Sequence, residues 1–588
     1  MGKDDNTPVA SASAPASAYP APSIGVPNGT RTDAPKPSTL GPSSPARIVP
    51  LVSPPDKDYL TYKQPVTRGT LTILVNGRFT SAKPFDDRTE PLTEMQSAVA
   101  GLKSGDAVYL SAWFFGPGTA LTGGAVGSAT TWGALFAAQA SAGVVVRLLI
   151  NDFDHITTMD TWLQDSDITP LNKLIDAMAE EARDNLKYII ARHPAHIGWI
   201  KSKAMGQGGR DVYVGSHHQK FMIVRQSGNL TAFCGGVDIE EAKAPAVWGQ
   251  GNGINGWHDL HVKLEGPITH DLEKEFVMRW NRERGGSRRA PRPGWKGYEQ
   301  LGITPASSVD SAPGNQKHDV EMLRTISTDG GILGSYSNTC HDIEDAYKAG
   351  ISRASKYIYI ENQYFKSLDL ADWIIAQGTT KPDLIVIIVT DTFNDDGMNG
   401  LVLHGMWLRH EALQKIVFAL GSRVAIFTLG GNRKLHSKLI LVDDTWMCIG
   451  SANASGRSFK VDSELDIQTN SVELVTQFRT RLWAINLGVT TAIVGTWSVP
   501  DYLSKWNVVA WGNAACAGRT PPEPDKLTGA CVVPFDYKTV LGTKSDVISD
   551  ELTQLDSPKL PNGMSSSGAA DTQSAGSGGQ GDPSATTA

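Results

Sequence analysis

The stretch "SHHQKFMIVRQ", residues 216–226, places His218 and Lys220 two positions apart at the start of an apolar run. In a β-strand, residues i and i+2 project from the same face, about 6.6 Å apart along the chain. The pattern therefore predicts a buried strand that presents an imidazole and an ammonium group on one side, a pair suited to bind an anion.

The stretch "KLHSKLILVDD", residues 434–444, repeats this arrangement with His436 and Lys438. The two copies differ five residues after the lysine, where the second has Asp443 and the first has Arg225. This difference raises the question of whether the two stretches form one site and whether the mismatch disables it.

The segments around these stretches repeat in the same order. The matched runs are "AVYLSAWFF" with "KYIYIENQYF", "VVVRLLINDF" with "DLIVIIVTDTF", "AFCGGVD" with "MCIGSANAS", and "GWHDLHVKLEGP" with "DSELDIQ". Short β-branched runs that alternate with helical stretches predict an α/β fold, a mixed sheet flanked by helices. We expect two similar halves that pack with pseudo-two-fold symmetry, with the active site between them.

Composition divides the chain into five segments. The two terminal segments are rich in Pro, Ala, Ser and Gly and poor in large apolar side chains, which predicts disorder. The expected segments are a disordered tail at 1–56, a first half at 57–300, a second half at 301–495, a C-terminal extension at 496–544 and a disordered tail at 545–588.

Bulk properties limit the class of protein. A formal net charge of −7 over 588 residues disfavours a general nucleic-acid coat, which is usually basic. Five cysteines do not imply a disulfide framework, and Cys516 and Cys531 either pair or stay free thiols.

No segment approaches the roughly 20 apolar residues of a membrane-spanning helix, and the N-terminus lacks the apolar stretch of a secretory signal. We expect a soluble protein, cytoplasmic or exported without a classical signal peptide, with peripheral membrane contact.

Two facing His-x-Lys pairs suit the cleavage of a phosphodiester. The lysines neutralise the non-bridging oxygens, one histidine attacks phosphorus, and the other protonates the leaving oxygen. Because the lysines supply the positive charge, this chemistry requires no metal ion or other cofactor.

Each histidine needs an acidic partner to fix its tautomer. Asp443 is a poor candidate, because it follows His436 by an odd offset and lies about 23 Å away along an extended strand. The better candidates begin the next strand of each copy, Asp259 in "WHDLH" and Glu464 in "DSELD". We therefore expect Arg225 to weaken support of the site and leave its chemistry intact.

The turns "GGVD" and "GSAN" follow the two His-x-Lys stretches at similar distances. Small residues allow a close approach of the backbone, and Ser451, Asn453 and Asp238 can offer hydrogen bonds near the phosphate or the lysines.

Other aromatic and basic residues receive no catalytic role. We expect Trp113, Trp257, Trp280 and Trp483 in the core, with a channel for an acyl chain beside Trp113 and Phe114 as the alternative. His217 and His258 are expected to be structural. The basic segment 282–296 is either a contact for an anionic membrane or a solvated loop.

These motifs resemble those of the phospholipase D superfamily over residues 70–488. Its His-x-Lys-x₄-Asp signature is complete in the second copy and altered in the first, and "IYIENQYF" and "IGSANASGRS" look like the eukaryotic type. The resemblance implies a ping-pong reaction through a phosphohistidine, with His218 as nucleophile and His436 as general acid. It also implies that Lys220, Lys438 and Asn453 contact the phosphate. The tailed build is similar to bacterial secreted lipase effectors.

Three hypotheses follow for function. The first is a monomeric phospholipase D that converts a membrane phospholipid to phosphatidic acid and a free alcohol by hydrolysis, with possible transfer to another alcohol. The second is a metal-independent nuclease, which the acidic net charge disfavours. The third is a lipid-binding protein whose catalysis is impaired by Arg225.

Overall fold

The computed structural model describes most of the chain between the two predicted tails. The described residues are 66–78, 86–122, 124–152, 165–191, 193, 196–197, 212–213, 215–240, 257–284, 295–305, 312–327, 340–392, 400–430, 434–517 and 532–538. The tails, Cys531, the Cys516 side chain and most of the basic segment 282–296 lie outside them.

The strands are short apolar runs, as the sequence predicts. They are β1 (Thr67–Arg78), β2 (Asp86–Thr89), β3 (Ala107–Ala112), β4 (Val145–Asn151), β5 (Leu186–Ala191), β6 (His196–Ile197), β7 (Val212–Tyr213), β8 (Phe221–Gln226), β9 (Asn229–Gly235), β10 (Trp257–Glu265), β11 (His318–Ile326), β12 (Cys340–His341), β13 (Tyr357–Asn362), β14 (Ile385–Thr390), β15 (Val424–Leu429), β16 (Lys434–Leu435), β17 (Lys438–Val442), β18 (Trp446–Gly450), β19 (Glu464–Thr469) and β20 (Val532–Pro534).

Helices lie between the strands along the chain and include the connections between the parallel strands. They are α1 (Glu90–Ala100), α2 (Trp132–Ser141), α3 (Asp165–Ala177), α4 (Glu180–Arg183), α5 (Ile268–Glu283), α6 (Asp342–Ile351), α7 (Leu368–Thr380), α8 (Gly400–Leu420), α9 (Gly456–Lys460), α10 (Val472–Leu487), α11 (Thr491–Val494) and α12 (Tyr502–Ala517). Thr131 and Ser367 begin α2 and α7 by accepting a backbone N–H on their hydroxyl oxygens. Among the described helices, none is both long and apolar enough to cross a membrane.

The order of strands occurs twice along the chain. The first set runs β5-β4-β3-β8-β9-β10-β1, and the second runs β15-β14-β13-β17-β18-β19-β11. In each set the first three strands are parallel, and every later pairing is antiparallel. Because β1 also pairs with β11, and β10 with β16, both sets belong to one 18-stranded sheet. The α/β prediction is confirmed, and the pseudo-two-fold relation of the halves stays a prediction.

Three apolar clusters cover the faces of the sheet. One combines side chains from both sets of strands with those of α5, α10 and α12, and it contains the fully buried Trp280 and Trp483, as predicted. The second packs the first set against α1, α2 and α3, and the third packs the second set against α6, α7 and α8. Because the central strands are buried on both faces, their sequences are continuous apolar runs.

The carboxyl ends of β3 and β13 define the edge at which the two histidine–lysine pairs lie. Strand β8 begins only at Phe221 and β17 only at Lys438, so the prediction that each pair sits within a strand is wrong. The reason is that the histidine backbones bond to the opposite set. The N–H of His218 donates to Ser463 O at 2.8 Å, and the N–H of His436 donates to His258 O at 2.7 Å.

Candidate active site

The two backbone contacts place each histidine beside an acid from the other repeat. Ser463, which accepts from the first histidine, directly precedes Glu464, and His258, which accepts from the second, directly precedes Asp259. Trp257 and His258 also pair in parallel with the residues just before the second histidine. The same local arrangement therefore occurs twice with the repeats exchanged.

His436 is held by Asp259. Its Nδ1 lies 2.7 Å from Asp259 Oδ2, and both side chains are buried. An ionised carboxylate can only accept a hydrogen bond, so Nδ1 carries a proton. Nε2 lies on the side of the ring away from Asp259. The other carboxylate oxygen accepts the N–H of Leu260 at 2.8 Å, which fixes the acid itself.

His218 is held by Glu464. Both carboxylate oxygens lie 3.0 Å from His218 Nδ1. The hydroxyl groups of Ser451 and Ser458 donate to the same carboxylate at 2.6 and 2.7 Å. The sequence pointed to both acids, but it did not reveal that each serves the histidine of the other repeat.

The His218–Glu464 pair has strongly altered proton affinities. Burial, with the positive charges of Lys220 and Lys438, lowers the pKa of His218 well below its usual value. The effect of Lys438 means that the lysine of the second repeat lies near the histidine of the first. Burial also raises the pKa of Glu464 to about 8. Glu464 therefore holds a proton below about pH 8 and is a carboxylate above it.

Each lysine folds back towards its own histidine. The ammonium of Lys220 donates to the carbonyl of the histidine two residues earlier at 3.0 Å, and Lys438 makes the equivalent contact. Lys438 also donates to Gln363 Oε1 at 3.0 Å, whereas Lys220 lies 3.4 Å from Asp238 Oδ2. Both lysines are buried, so their positive charge is concentrated on the site.

The glycine-rich turns support the acids. Ser451 donates to Glu464 and accepts the N–H of Leu465, so its role is to hold the carboxylate. Gly236 occupies the matching position in the first repeat, where a Cβ would stand 2.1 Å from Asp259 Oδ1. Asp259, whose side chain is shorter than that of Glu464, therefore requires a glycine at position 236.

Asn453 and Asp238 close the two turns. The Oδ1 atom of Asn453 is buried and has no hydrogen-bond partner in the part of the chain that the structure describes. Asp238 accepts the N–H groups of Trp113 and Phe114 at 3.1 and 3.3 Å, which ties the turn to the end of β3. The Asp238 carboxylate also lies 3.4 Å from the ammonium of Lys220, whereas the contact of Asn453 with a phosphate stays a prediction.

Asp443, the motif aspartate, contacts none of the site side chains in the described structure. It accepts four hydrogen bonds at the entry to β13, from the N–H groups of Ser355, Lys356 and Tyr357 and from the Ser355 hydroxyl. Arg225 instead lies within β8, paired with residues of β3 and β9.

Sequence reasoning missed a buried charged network behind His436. His258 Nε2 donates to Glu361 at 3.0 Å, and its Nδ1 lies 3.2 Å from a backbone carbonyl, so both ring nitrogens donate. Burial opposes the charged ring, but Glu361 outweighs it and raises the pKa of His258. Glu361 also accepts from Ser437, the neighbour of His436, at 2.7 Å. The glutamate thus fixes residues on both sides of the pair formed by His436 and Asp259, and its position in "IYIENQYF" was the available signal.

Two tryptophans predicted for the core instead border the site. The Trp113 ring lies 5.7 Å from that of His218, and the Trp257 ring lies 4.9 Å from that of His436. Both are partly exposed, because they follow or begin strands at the site edge. The acyl-chain channel beside Trp113 stays a prediction. Across the described residues, no three His, Cys, Asp or Glu side chains are grouped to hold a metal ion.

The chain is similar to proteins of the phospholipase D family. A family model described as "Phospholipase D" matches residues 242–395, and one described as "Cardiolipin synthase, PLD-like domain" matches residues 347–485. Phospholipase D alpha 1 of Cynara cardunculus is 24% identical over 485 residues, with 58% of this chain and 59% of the relative covered. Phospholipase D alpha 1 of Nicotiana tabacum is 23% identical, with 73% of this chain and 69% of the relative covered.

The chain spans little more than half the length of two of these relatives, 59% of the Cynara cardunculus protein and 55% of Phospholipase D alpha 3 of Arabidopsis thaliana, which is 23% identical over 465 residues. Among solved structures, the phosphatidylserine synthase of Haemophilus influenzae Rd KW20 matches 72% of this chain and 88% of its own, with a TM-score of 0.47 at 13% identity.

Proposed function

The chain belongs to the phospholipase D superfamily, and on this premise we propose that it cleaves the head-group phosphodiester of glycerophospholipids. The products are phosphatidic acid and the head-group alcohol. The observation that carries the proposal is the pair of histidines, each bonded through Nδ1 to an acid of the other repeat and each accompanied by a buried lysine.

The first step forms a phosphohistidine. With Nδ1 bonded to Glu464, the lone pair on Nε2 of His218 attacks phosphorus. The bond between phosphorus and the head-group oxygen breaks, and His436 gives its Nε2 proton to that oxygen. Lys220 and Lys438 stabilise the charge that gathers on the non-bridging oxygens.

The second step releases phosphatidic acid. His436, now deprotonated at Nε2, takes a proton from water as the water oxygen attacks phosphorus, and the bond to His218 breaks. A primary alcohol in place of water yields the transfer product. Because one chain supplies both histidine–acid pairs, a monomer bound to a membrane surface is sufficient for the whole cycle.

The test uses the full-length chain and phospholipids in detergent micelles, with and without 1-butanol. We expect phosphatidic acid without the alcohol, phosphatidylbutanol with it, and neither product from the His218→Ala variant. A label transferred from the phosphate of the substrate to His218 in wild-type protein tests the covalent step.

The matched control is His318→Ala, which removes an imidazole from β11 that contacts Ser471 and none of the site residues named above. We expect this variant to keep its activity. Cleavage of DNA but of no phospholipid would replace the proposal with the nuclease hypothesis, and vesicle binding without any product would favour the non-catalytic one.

A further inference from the structure

Two partly buried aromatic side chains border the site, and a third lies next to a site residue in the sequence. Trp113 and Trp257 pack against the two histidines at ring distances of 5.7 and 4.9 Å. Tyr364 follows Gln363, whose side chain accepts from Lys438. Aromatic rings around a phosphodiester site are the groups that recognise a quaternary ammonium such as choline, through the negative face of the ring.

Each of these rings is faced by a lysine of the chain itself. The ammonium of Lys434 lies 4.3 Å from the centre of the Trp257 ring, and that of Lys366 lies 3.9 Å from the centre of the Tyr364 ring. Lys220 stands 5.4 Å from the Trp113 ring. All three distances fall within the range of cation–π attraction.

Backbone pairing holds these lysines in place. Trp257 and Lys434 are direct partners in the pairing of β10 with β16, two residues before His436. The N–H of Lys366 donates to Ala454 O at 2.8 Å, next to the turn that carries Asn453. The ammonium of Lys434 is therefore built into the rim of the site, over the ring that packs against His436.

We propose that these lysine–aromatic pairs make the site selective for phospholipids with a hydroxylated head group, represented by phosphatidylglycerol, and select against choline. This inference rests on the proposed function, in which the head group leaves on the side of His436 and so passes Trp257 and Lys434. A choline group would have to displace an ammonium from the ring and would meet like charge. A glycerol hydroxyl instead accepts a hydrogen bond from that ammonium.

The test is a competition between phosphatidylglycerol and phosphatidylcholine at equal amounts in the same detergent micelles. Both substrates then meet the same surface charge, and the released glycerol and choline report the ratio of kcat/KM. We expect glycerol to exceed choline by about tenfold, the size of one cation–π contact in a partly desolvated site. Lys434→Met should lower this ratio by about the same factor, mainly through faster release of choline.

Two further variants separate the charge from its position. Lys434→Arg keeps a cation that stacks on the indole ring and should keep the ratio. Lys381→Met removes one exposed charge before β14, at the opposite end of the parallel strands from the site, and should leave the ratio unchanged.

The outcomes distinguish the two proposals. Equal or faster release of choline by the wild type would overturn the inference while phospholipid cleavage stands. An unchanged ratio in Lys434→Met would remove Lys434 from head-group selection. Phosphatidic acid from none of the common phospholipids would instead defeat the proposed function itself.

Discussion

The hairpin β17–β18 turns at Asp443 and Asp444, whereas the hairpin β8–β9 turns at Ser227 and Gly228, farther from its lysine. All four residues have positive φ, between 51° and 85°. In the β17–β18 hairpin, the turn residue Asp443 supplies the carboxylate that accepts the N–H groups at the start of β13.

In the first hairpin the direction of this contact is reversed. Asp106, just before β3, accepts the N–H of Ser227 at 2.8 Å and that of Lys103 at 2.9 Å. The longer hairpin moves position 225 out of the turn and into the strand, where no aspartate is needed. The motif aspartate therefore holds a hairpin turn against the start of the neighbouring strand, and the two repeats make this contact from opposite sides.

The largest difference between the repeats is expected at the histidines. Both His218→Ala and His436→Ala should lower kcat on natural phospholipids by about 10⁴-fold. A phosphatidyl substrate with a p-nitrophenol leaving group needs no proton from the enzyme, so His436→Ala should recover about 10²-fold on it. Steady-state release of p-nitrophenol measures the recovery, and an equal response of His218→Ala would contradict the assignment of roles.

The pH dependence should distinguish the two acid partners. Below about pH 8 Glu464 is protonated and donates to Nδ1 of the neutral His218 ring, so the ring proton stands on Nε2 and occupies its lone pair. Because attack on phosphorus needs that lone pair, kcat/KM should fall about tenfold per pH unit below about pH 8.

Variants of the two acids provide the matched pair for this measurement. Glu464→Gln should lose this acidic limb along with much of its activity. Asp259→Asn should lower the rate and retain the limb, since it supports the other histidine. A profile with the same acidic limb in Glu464→Gln would contradict the assignment.

Loss of the carboxylates that hold the hairpin turns, those of Asp443 and Asp106, should lower stability more than turnover. Asp443→Ala removes the acceptor of four hydrogen bonds and should lower the free energy of unfolding by about 1–2 kcal/mol. Asp106→Ala removes the acceptor of two and should cost about 1 kcal/mol. Urea unfolding measures both, and a loss of activity in folded Asp443→Ala far beyond the loss in Asp106→Ala would restore a chemical role for the motif aspartate.

The smallest effect is expected at Arg225. Arg225→Asp should not increase kcat/KM, because position 225 lies in β8 and away from the strand entry that Asp443 serves. The new carboxylate would face Glu273, which lies 3.8 Å from the present guanidinium, so a loss of stability of about 0.5 kcal/mol is expected. A gain in activity would support the view that the first motif is impaired.

Local spacing explains what the sequence could predict. Short runs revealed the two-residue interval of His218 and Lys220 and the acids at or near the start of β10 and β19, although neither histidine lies within a strand. The repeat of those runs predicted two similar halves, but it did not predict the order of the strands within them.

The remaining features depend on contacts between distant segments. Which acid bonds to which histidine is set by His258 and Ser463 accepting the N–H groups of the opposite repeat, at sequence separations that no local pattern encodes. The burial of His258 beside Glu361 and the position of Trp257 against His436 arise in the same way. The sequence did not reveal that the first hairpin turns two residues later than the second, because a shift of two residues leaves the alternation of apolar side chains unchanged.

The exchange of carboxylates also bears on how the duplicated chain can change over time. On the proposed mechanism, a substitution at either acid would impair a histidine more than a hundred residues away, so neither repeat could change independently at Asp259 or Glu464. The contacts of each hairpin turn stay within one repeat, and at these turns the two copies differ. A single ancestral repeat with this geometry would have required a twin molecule to complete its catalytic relay.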